Sequence, residues 1–454
     1  MTRSEPEMSS RAAPAPPVNL TRQWLAILAA SLAALPAPAL RLLDITNAAD
    51  IHIQPTIEAI IFGIGIFFAA TLLTWASEVA ETEVSAALAL IVLALIAVLP
   101  EYAVDLFFAW TAPTNPDNAH LAIANMTGAN RLLVGLAWPA IFLIYYLKQR
   151  APEMKVDRSN SLGILFLGVA TVYSFSIPLR SHLSLIDTAV MYTLFFAYLL
   201  ISSRQPPEHE RVFVGPAAAV AALSRGPRRA IILLIFAYAA AVIFAAAEPF
   251  AEGLVETGKE LGIEEFILVQ WVAPLASEAP EFILAGLLAA RGRHDAGMTI
   301  LISSKVNQWT LLVGSLPVAF SISGGTLSPL EFDSRQSEEV FLTAAQSMFA
   351  VAIFVSLSMS RWEALVLAAL FLTQLAFLDP TIRIGYASAY CLLSLFTFAR
   401  DIPHFGDFAG AVKETAKGPQ SRPSPALGKA ANPADHIAHL RRSPGNAPEN
   451  SSKE

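Results

Sequence analysis

Leu99-Pro100-Glu101-Tyr102 and Ala279-Pro280-Glu281-Phe282 are two copies of one arrangement, a proline followed at once by a glutamate inside a long apolar run. Asp105 lies one helical turn after the first glutamate, and Glu278 lies one turn before the second. Side chains three or four residues apart share a helix face, so each copy presents two carboxylates together. A carboxylate near the bilayer centre costs roughly 2.5–3.5 kcal/mol on insertion scales. Its recurrence at matching depth, beside a proline both times, points to a site. A proline that kinks a helix while its glutamate pairs with a basic residue is the plain packing alternative.

The chemistry of the pair is suited to cations. A proline inside a helix has no N–H to give, which leaves the carbonyl four residues earlier without its donor. At membrane depth that carbonyl needs another partner, and a dehydrated cation is one. Carboxylate and carbonyl oxygens are the ligands preferred by hard cations such as Na⁺ and Ca²⁺. The same glutamates can take up protons when the cation leaves.

Composition places both copies in a membrane. Of 454 residues, 55% are hydrophobic and only 15% charged, against about 25% charged in an ordinary soluble domain. Apolar runs of 18 residues or more recur along the chain, as transmembrane helices require. The net charge of −7 and the lack of a dense basic cluster exclude a nucleic-acid binder. The single cysteine, Cys391, precludes an intrachain disulfide. No Walker loop, GxGxxG or Cys/His metal spacing occurs, so neither a cofactor nor an enzyme is expected, and ATP bound to this chain is not the energy source.

Working outward, residues 1–21 read as a disordered tail rich in Ala, Pro and Ser. The stretch 22–41 is either an accessory transmembrane helix, interrupted by Pro36 and Pro38, or a signal peptide. Five spans follow, at about 57–80, 84–111, 119–147, 160–179 and 185–203. A basic connector over 204–228 precedes five more, at about 229–250, 264–290, 296–320, 338–358 and 361–378. A last accessory helix over 382–399 and a disordered tail over 401–454 complete the chain. The fold expected is an all-α polytopic membrane protein with two five-helix repeats, 57–203 and 229–378, plus one or two accessory helices.

Loop charge sets the orientation. The loop 148–158, the connector and Arg291-Gly292-Arg293 are basic; the stretches near Asp117, 252–265 (Glu252, Glu256, Glu260) and 331–339 (Glu338, Glu339) are acidic. With both termini cytoplasmic, every basic loop falls inside and every acidic one outside. The two Pro-Glu helices then cross in opposite directions, which is an inverted repeat.

The helix after each copy carries a second polar cluster. The first is Ala124-Asn125-Met126-Thr127-Gly128-Ala129-Asn130-Arg131, and the second is Ser303-Ser304-Lys305-Val306-Asn307-Gln308-Trp309-Thr310. Each runs into a Leu-Leu-Val-Gly stretch, 132–135 and 311–314. Amide and hydroxyl oxygens are neutral cation ligands, or else hydrogen-bond helix to helix, and Gly128 permits close helix approach.

A Pro-Glu helix followed by a Gly/Asn-rich helix, twice and inverted, resembles the alpha repeats of the calcium/cation antiporter superfamily, which includes the sodium/calcium exchangers. The resemblance covers about 57–147 and 229–320. It implies that Glu101 and Glu281 bind the transported cation. Asn125, Gly128 and Asn130 match the family's Gly-Asn-x-x-Gly-Ser-Asn run, whereas Ala97, Val98 and Leu133 depart from it. Arg131 and Lys305 stand where the family usually has no cation. Each either replaces a bound ion, or merely neutralises Asp105 or Glu278 or snorkels toward an interface.

The expectation is therefore an antiporter in the cytoplasmic membrane, moving Ca²⁺ against Na⁺ or H⁺ by alternating access, with lipid and inorganic cations as its partners. Glu101 and Glu281 are the central ligands. Asp105 and Glu278 are second-tier ligands or proton carriers, and Asn125, Asn130, Ser304, Asn307 and Thr310 supply neutral oxygens. Na⁺/H⁺ exchange on the same scaffold, or a non-transporting sensor with a decayed ion site, are the alternatives. The oligomeric state is left open.

Overall fold

A computed structural model describes residues 20–46, 53–80, 82–83, 98–204, 213 and 215–417. Most of the expected tails, part of the connector and the first part of the span expected at 84–111 lie outside these residues. Among the described residues, nine helical segments of 18 to 37 residues are long and apolar enough to cross a membrane.

Helices α1 (Leu20–Ala34) and α2 (Pro36–Ile45) form the first accessory segment. Pro36 opens α2, where its missing N–H breaks no helical bond, so the expected interruption is a joint between two helices. The first repeat is α3 (Pro55–Ala80), α4 (Leu99–Thr111), α5 (Asp117–Leu132) running through a π turn (Leu133–Ala137) into α6 (Trp138–Gln149), then α7 (Ser161–Ser174), α8 (Ser176–Arg180) and α9 (Leu185–Ser202). After the short α10 (Pro216–Ala221), the second repeat is α11 (Arg225–Leu261), α12 (Glu265–Ala290) and α13 (His294–Asn307). This runs through a second π turn (Gln308–Leu312) into α14 (Val313–Gly324), followed by α15 (Ser334–Ile353) and α16 (Arg361–Gln374). Helices α17 (Pro380–Arg400) and α18 (Phe405–Lys417) follow.

Two small ribbons show the inversion directly. Strand β1 (Glu153–Lys155), just before α7, pairs antiparallel with β4 (Ser358–Ser360), just after α15. Strand β2 (His182–Leu183), just after α8, pairs with β3 (Leu330–Glu331), just before α15. The segment α7–α8 thus begins where α15 ends, and ends where α15 begins. Because β1 and β3 occupy the same place in their repeats, as do β2 and β4, the ribbons are counterparts at opposite ends of the molecule. The two repeats cross in opposite senses.

Packing repeats the symmetry. Helices α3 and α11, the first of each repeat, lie along one another, while α12 packs on α5 and α14 packs on α4. Gly135 packs against Phe371 of α16 and Gly314 against Tyr192 of α9. Each glycine takes a ring from the last helix of the opposite repeat, which favours aligning the repeats on their Leu-Leu-Val-Gly stretches.

Several segments read as loop or tail are helical. Helix α11 starts within the expected connector and runs past residue 250 to Gly262, whose left-handed backbone (φ 65°) ends it, so Glu252, Glu256 and Glu260 ride on its last turns. Helix α15 starts early because Asp333 caps it. The Asp333 carboxylate accepts from the amides of Arg335 (2.7 Å) and Gln336 (3.0 Å), and Gln336 accepts from the Asp333 amide (2.7 Å). Glu338 and Glu339 are consequently buried helix residues, not loop acids. The tail expected from residue 401 begins with α18, an amphipathic helix that lies on α7 with Ala411 buried.

Candidate polar site at the crossing of the repeats

Pro100 sits in the first turn of the described part of α4, while Pro274 and Pro280 sit inside α12. In α12 the carbonyls of Gln270 and Ala276, four residues before each proline, lack their helical donor. Gly128 of α5 is pressed against the first of these: a Cβ placed there would lie 1.8 Å from the Gln270 carbonyl oxygen. The missing side chain is what lets α5 and α12 approach, as the sequence suggested. Gly128→Ala is expected to force the pair apart at a cost of about 1–3 kcal/mol or more, read as a lower melting temperature of the purified protein with loss of transport.

At this crossing the acids gather. Glu101 is 3% exposed and accepts a hydrogen bond from Gln308 Nε2 (3.1 Å). The same Gln308 amide reaches Ser304 Oγ (3.4 Å), one turn back on the helix. Ser304 lies close enough to Glu281 to interact with it, and one Glu281 oxygen has no partner. Glu278 is fully buried and neither of its oxygens is hydrogen-bonded. Glu101, Glu278 and Glu281 are near enough to act on one another electrostatically. Among the described residues, no three acidic, His or Cys side chains form a ready metal cluster; a cation here needs neutral oxygens to complete its shell.

Lys305 and Arg131 have different surroundings. Lys305 is fully buried, with Nζ donating to the side-chain oxygen (2.7 Å) and backbone carbonyl (3.2 Å) of Asn130. It lies 4.6 Å from the centre of the Trp309 ring and acts on Glu278. Arg131 points away from the acids. It binds Glu339 of α15 at 2.5 Å and lies 5.0 Å from the Trp271 ring centre. Arg383 of α17 holds the other Glu339 oxygen and reaches Glu338 at 3.4 Å. The expectation that Arg131 neutralises Asp105 or enters the ion site is therefore replaced. Its partner was hidden because Glu339 read as a loop acid.

The neutral donors divide as well. Ser304 is beside the acids. Asn130 oxygen is taken by Lys305, Asn307 Oδ1 accepts from Tyr102 OH (3.3 Å), and Thr310 donates to the Val306 carbonyl within its own helix. Asn125 donates to Asp105 (3.0 Å). Gln308, which sequence reasoning did not single out as a ligand, bridges both repeats. Its position one turn after Ser304 on the same face was the available signal.

An inverted-repeat helix bundle with buried acids at its crossing is the common architecture of membrane secondary transporters. The profile of the sodium/calcium exchanger protein family matches residues 56–204 and 231–378, and the chain belongs to that family. Among solved structures, the H⁺/Ca²⁺ exchanger CAX is 40% identical, with a TM-score of 0.82 over 88% of this chain and 100% of that one. Native YfkE, 15% identical, shares the fold with a TM-score of 0.57 over 83% of this chain and 99% of that one. Comparison with curated proteins gives no match.

Proposed function

We propose that this protein exchanges Ca²⁺ for H⁺ across the membrane by alternating access. The observation that carries the reading is the charge inventory at the crossing. Glu101, Glu278 and Glu281 face one buried ammonium, that of Lys305, because Arg131 is engaged by Glu339. Among these three glutamates two negative charges remain to be met by ions from solution, with Asp105, held by Asn125, one turn beyond Glu101. One divalent cation does this, and so do two protons, whereas leaving them unmet at membrane depth is costly. Occupancy by either, but not both, is the requirement for exchange.

Glu101 and Glu281 are the central ligands, one from each repeat, with Glu278 beside them. Ser304 Oγ and the unpaired Gln308 Oε1 supply neutral oxygens. Hard cations take such mixed oxygen shells. The 40% identity to a structure described as an H⁺/Ca²⁺ exchanger supports protons as the counter-ion. The basic end of the molecule faces the cytoplasm on this reading, with both termini on that side.

The test is uptake of radiolabelled Ca²⁺ into vesicles of purified protein. Vesicles acidic inside are expected to accumulate Ca²⁺, and vesicles loaded with Na⁺ at equal pH are not. Uptake that follows the Na⁺ gradient alone would replace H⁺ by Na⁺ in the account. No Ca²⁺ movement under either gradient would remove Ca²⁺ from it.

A further inference from the structure

Asp105 and Asn125 form a polar pair one turn beyond Glu101, on which Asp105 acts electrostatically. Both are buried, at 0% and 2% exposed. Asn125 Nδ2 donates to Asp105 Oδ1 at 3.0 Å, which turns the amide so that its own oxygen is left over. Asp105 Oδ2 and Asn125 Oδ1 have no hydrogen-bond partner, and among the described residues no Lys or Arg pairs with Asp105. Lys305 and Arg131, the cations of the two polar clusters, are held by Asn130 and Glu339 instead. A buried carboxylate oxygen and a buried amide oxygen, both unsatisfied and joined through a third contact, are a pair of hard-cation ligands.

The pair also has a side. Asp105 lies one turn beyond Glu101 toward the end of α4 that leads to Asp117. That end adjoins the β2–β3 ribbon, since His120 at the start of α5 lies 3.8 Å from Asp333, two residues after β3. The second repeat has no equivalent, because the residue four after Glu281 is Ala285. The symmetry of the scaffold is broken here by chemistry.

We propose that Asp105 and Asn125 are a one-sided station for the transported divalent cation, holding it with its remaining water between the Glu101–Glu281 site and the β2–β3 face. This rests on the Ca²⁺ exchange reading above. The station raises the affinity for Ca²⁺ arriving from that face, whereas Ca²⁺ arriving from the β1–β4 face meets it only on leaving.

The experiment compares initial Ca²⁺ uptake in vesicles sorted by orientation, so that each face is presented in turn. Asp105→Asn, nearly identical in shape, is expected to raise KM for Ca²⁺ from the β2–β3 face about tenfold more than KM from the other face. Asn125→Asp, which adds a carboxylate at the same place, is expected to lower the KM from the β2–β3 face more than the KM from the other. An equal change from both faces in Asp105→Asn, or no change from either, overturns the station, and wild-type protein without Ca²⁺ flux would overturn the exchange reading itself.

Discussion

Glu281→Gln is expected to reduce Ca²⁺ exchange by at least about a hundredfold. The substitution keeps the shape of the side chain and its contact with Ser304, while removing the charge of a carboxylate with one oxygen that has no protein partner. A neutral residue there cannot pass between a cation-bound and a proton-bound state. The helix around it has no reason to change, so melting temperature and extraction should match wild type. Glu101→Gln should behave alike, since Gln308 can still hydrogen-bond the amide oxygen at that position. Uptake assays on protein of verified melting behaviour check this, and a folded Glu281→Gln variant with full exchange would contradict the site assignment.

The second large effect is on stability. Glu339 is fully buried and is the counter-ion of two guanidinium groups, those of Arg131 and Arg383. Glu339→Ala leaves Arg131 without its carboxylate, and Arg383 with Glu338 only, in a low-dielectric interior where breaking a buried ion pair costs about 3–5 kcal/mol. The loss should appear as a marked drop in melting temperature and poor recovery from the membrane. Because the cluster ties α5 to α15 and α17, transport should fall with it. Adding Arg131→Leu should restore part of the stability by removing the stranded charge. A Glu339→Ala protein that melts like wild type would show that the cluster does not hold these helices.

The membrane spans, the inversion and the gathering of the central acids were legible because each rests on a strong local signal. An apolar run of 18 residues or more is long enough to cross a bilayer and too apolar for a solvated surface. A Pro-Glu pair repeated at membrane depth is costly unless used. The inversion was inferred from loop charge, whereas the ribbons β1–β4 and β2–β3 establish it from connectivity alone. What was not legible was partner choice over long sequence separations. Arg131 and Glu339 are 208 residues apart, and nothing local says that they meet.

Helix boundaries decide the identity of that partner. Placing residues 331–339 in a loop turned Glu338 and Glu339 into surface charges, although Asp333 and Gln336 stand at the spacing of a reciprocal helix cap. Arg383, inside the last apolar run, was a further signal that an acid must lie opposite it in the membrane. Lys305 illustrates the converse. Its nearness to Glu278 follows from the repeat geometry, but its grip on Asn130, which removes an anticipated cation ligand, depends on side-chain placement alone.

The central claim is that one site holds Ca²⁺ and protons in alternation. Its most direct measurement is the internal pH of vesicles carrying a pH-sensitive dye, read while Ca²⁺ is added outside with no Na⁺ present. Exchange predicts that the lumen becomes alkaline as Ca²⁺ enters and protons leave, and that Glu281→Gln vesicles show no such change. Ca²⁺ entry with no change in internal pH would contradict proton exchange at this site.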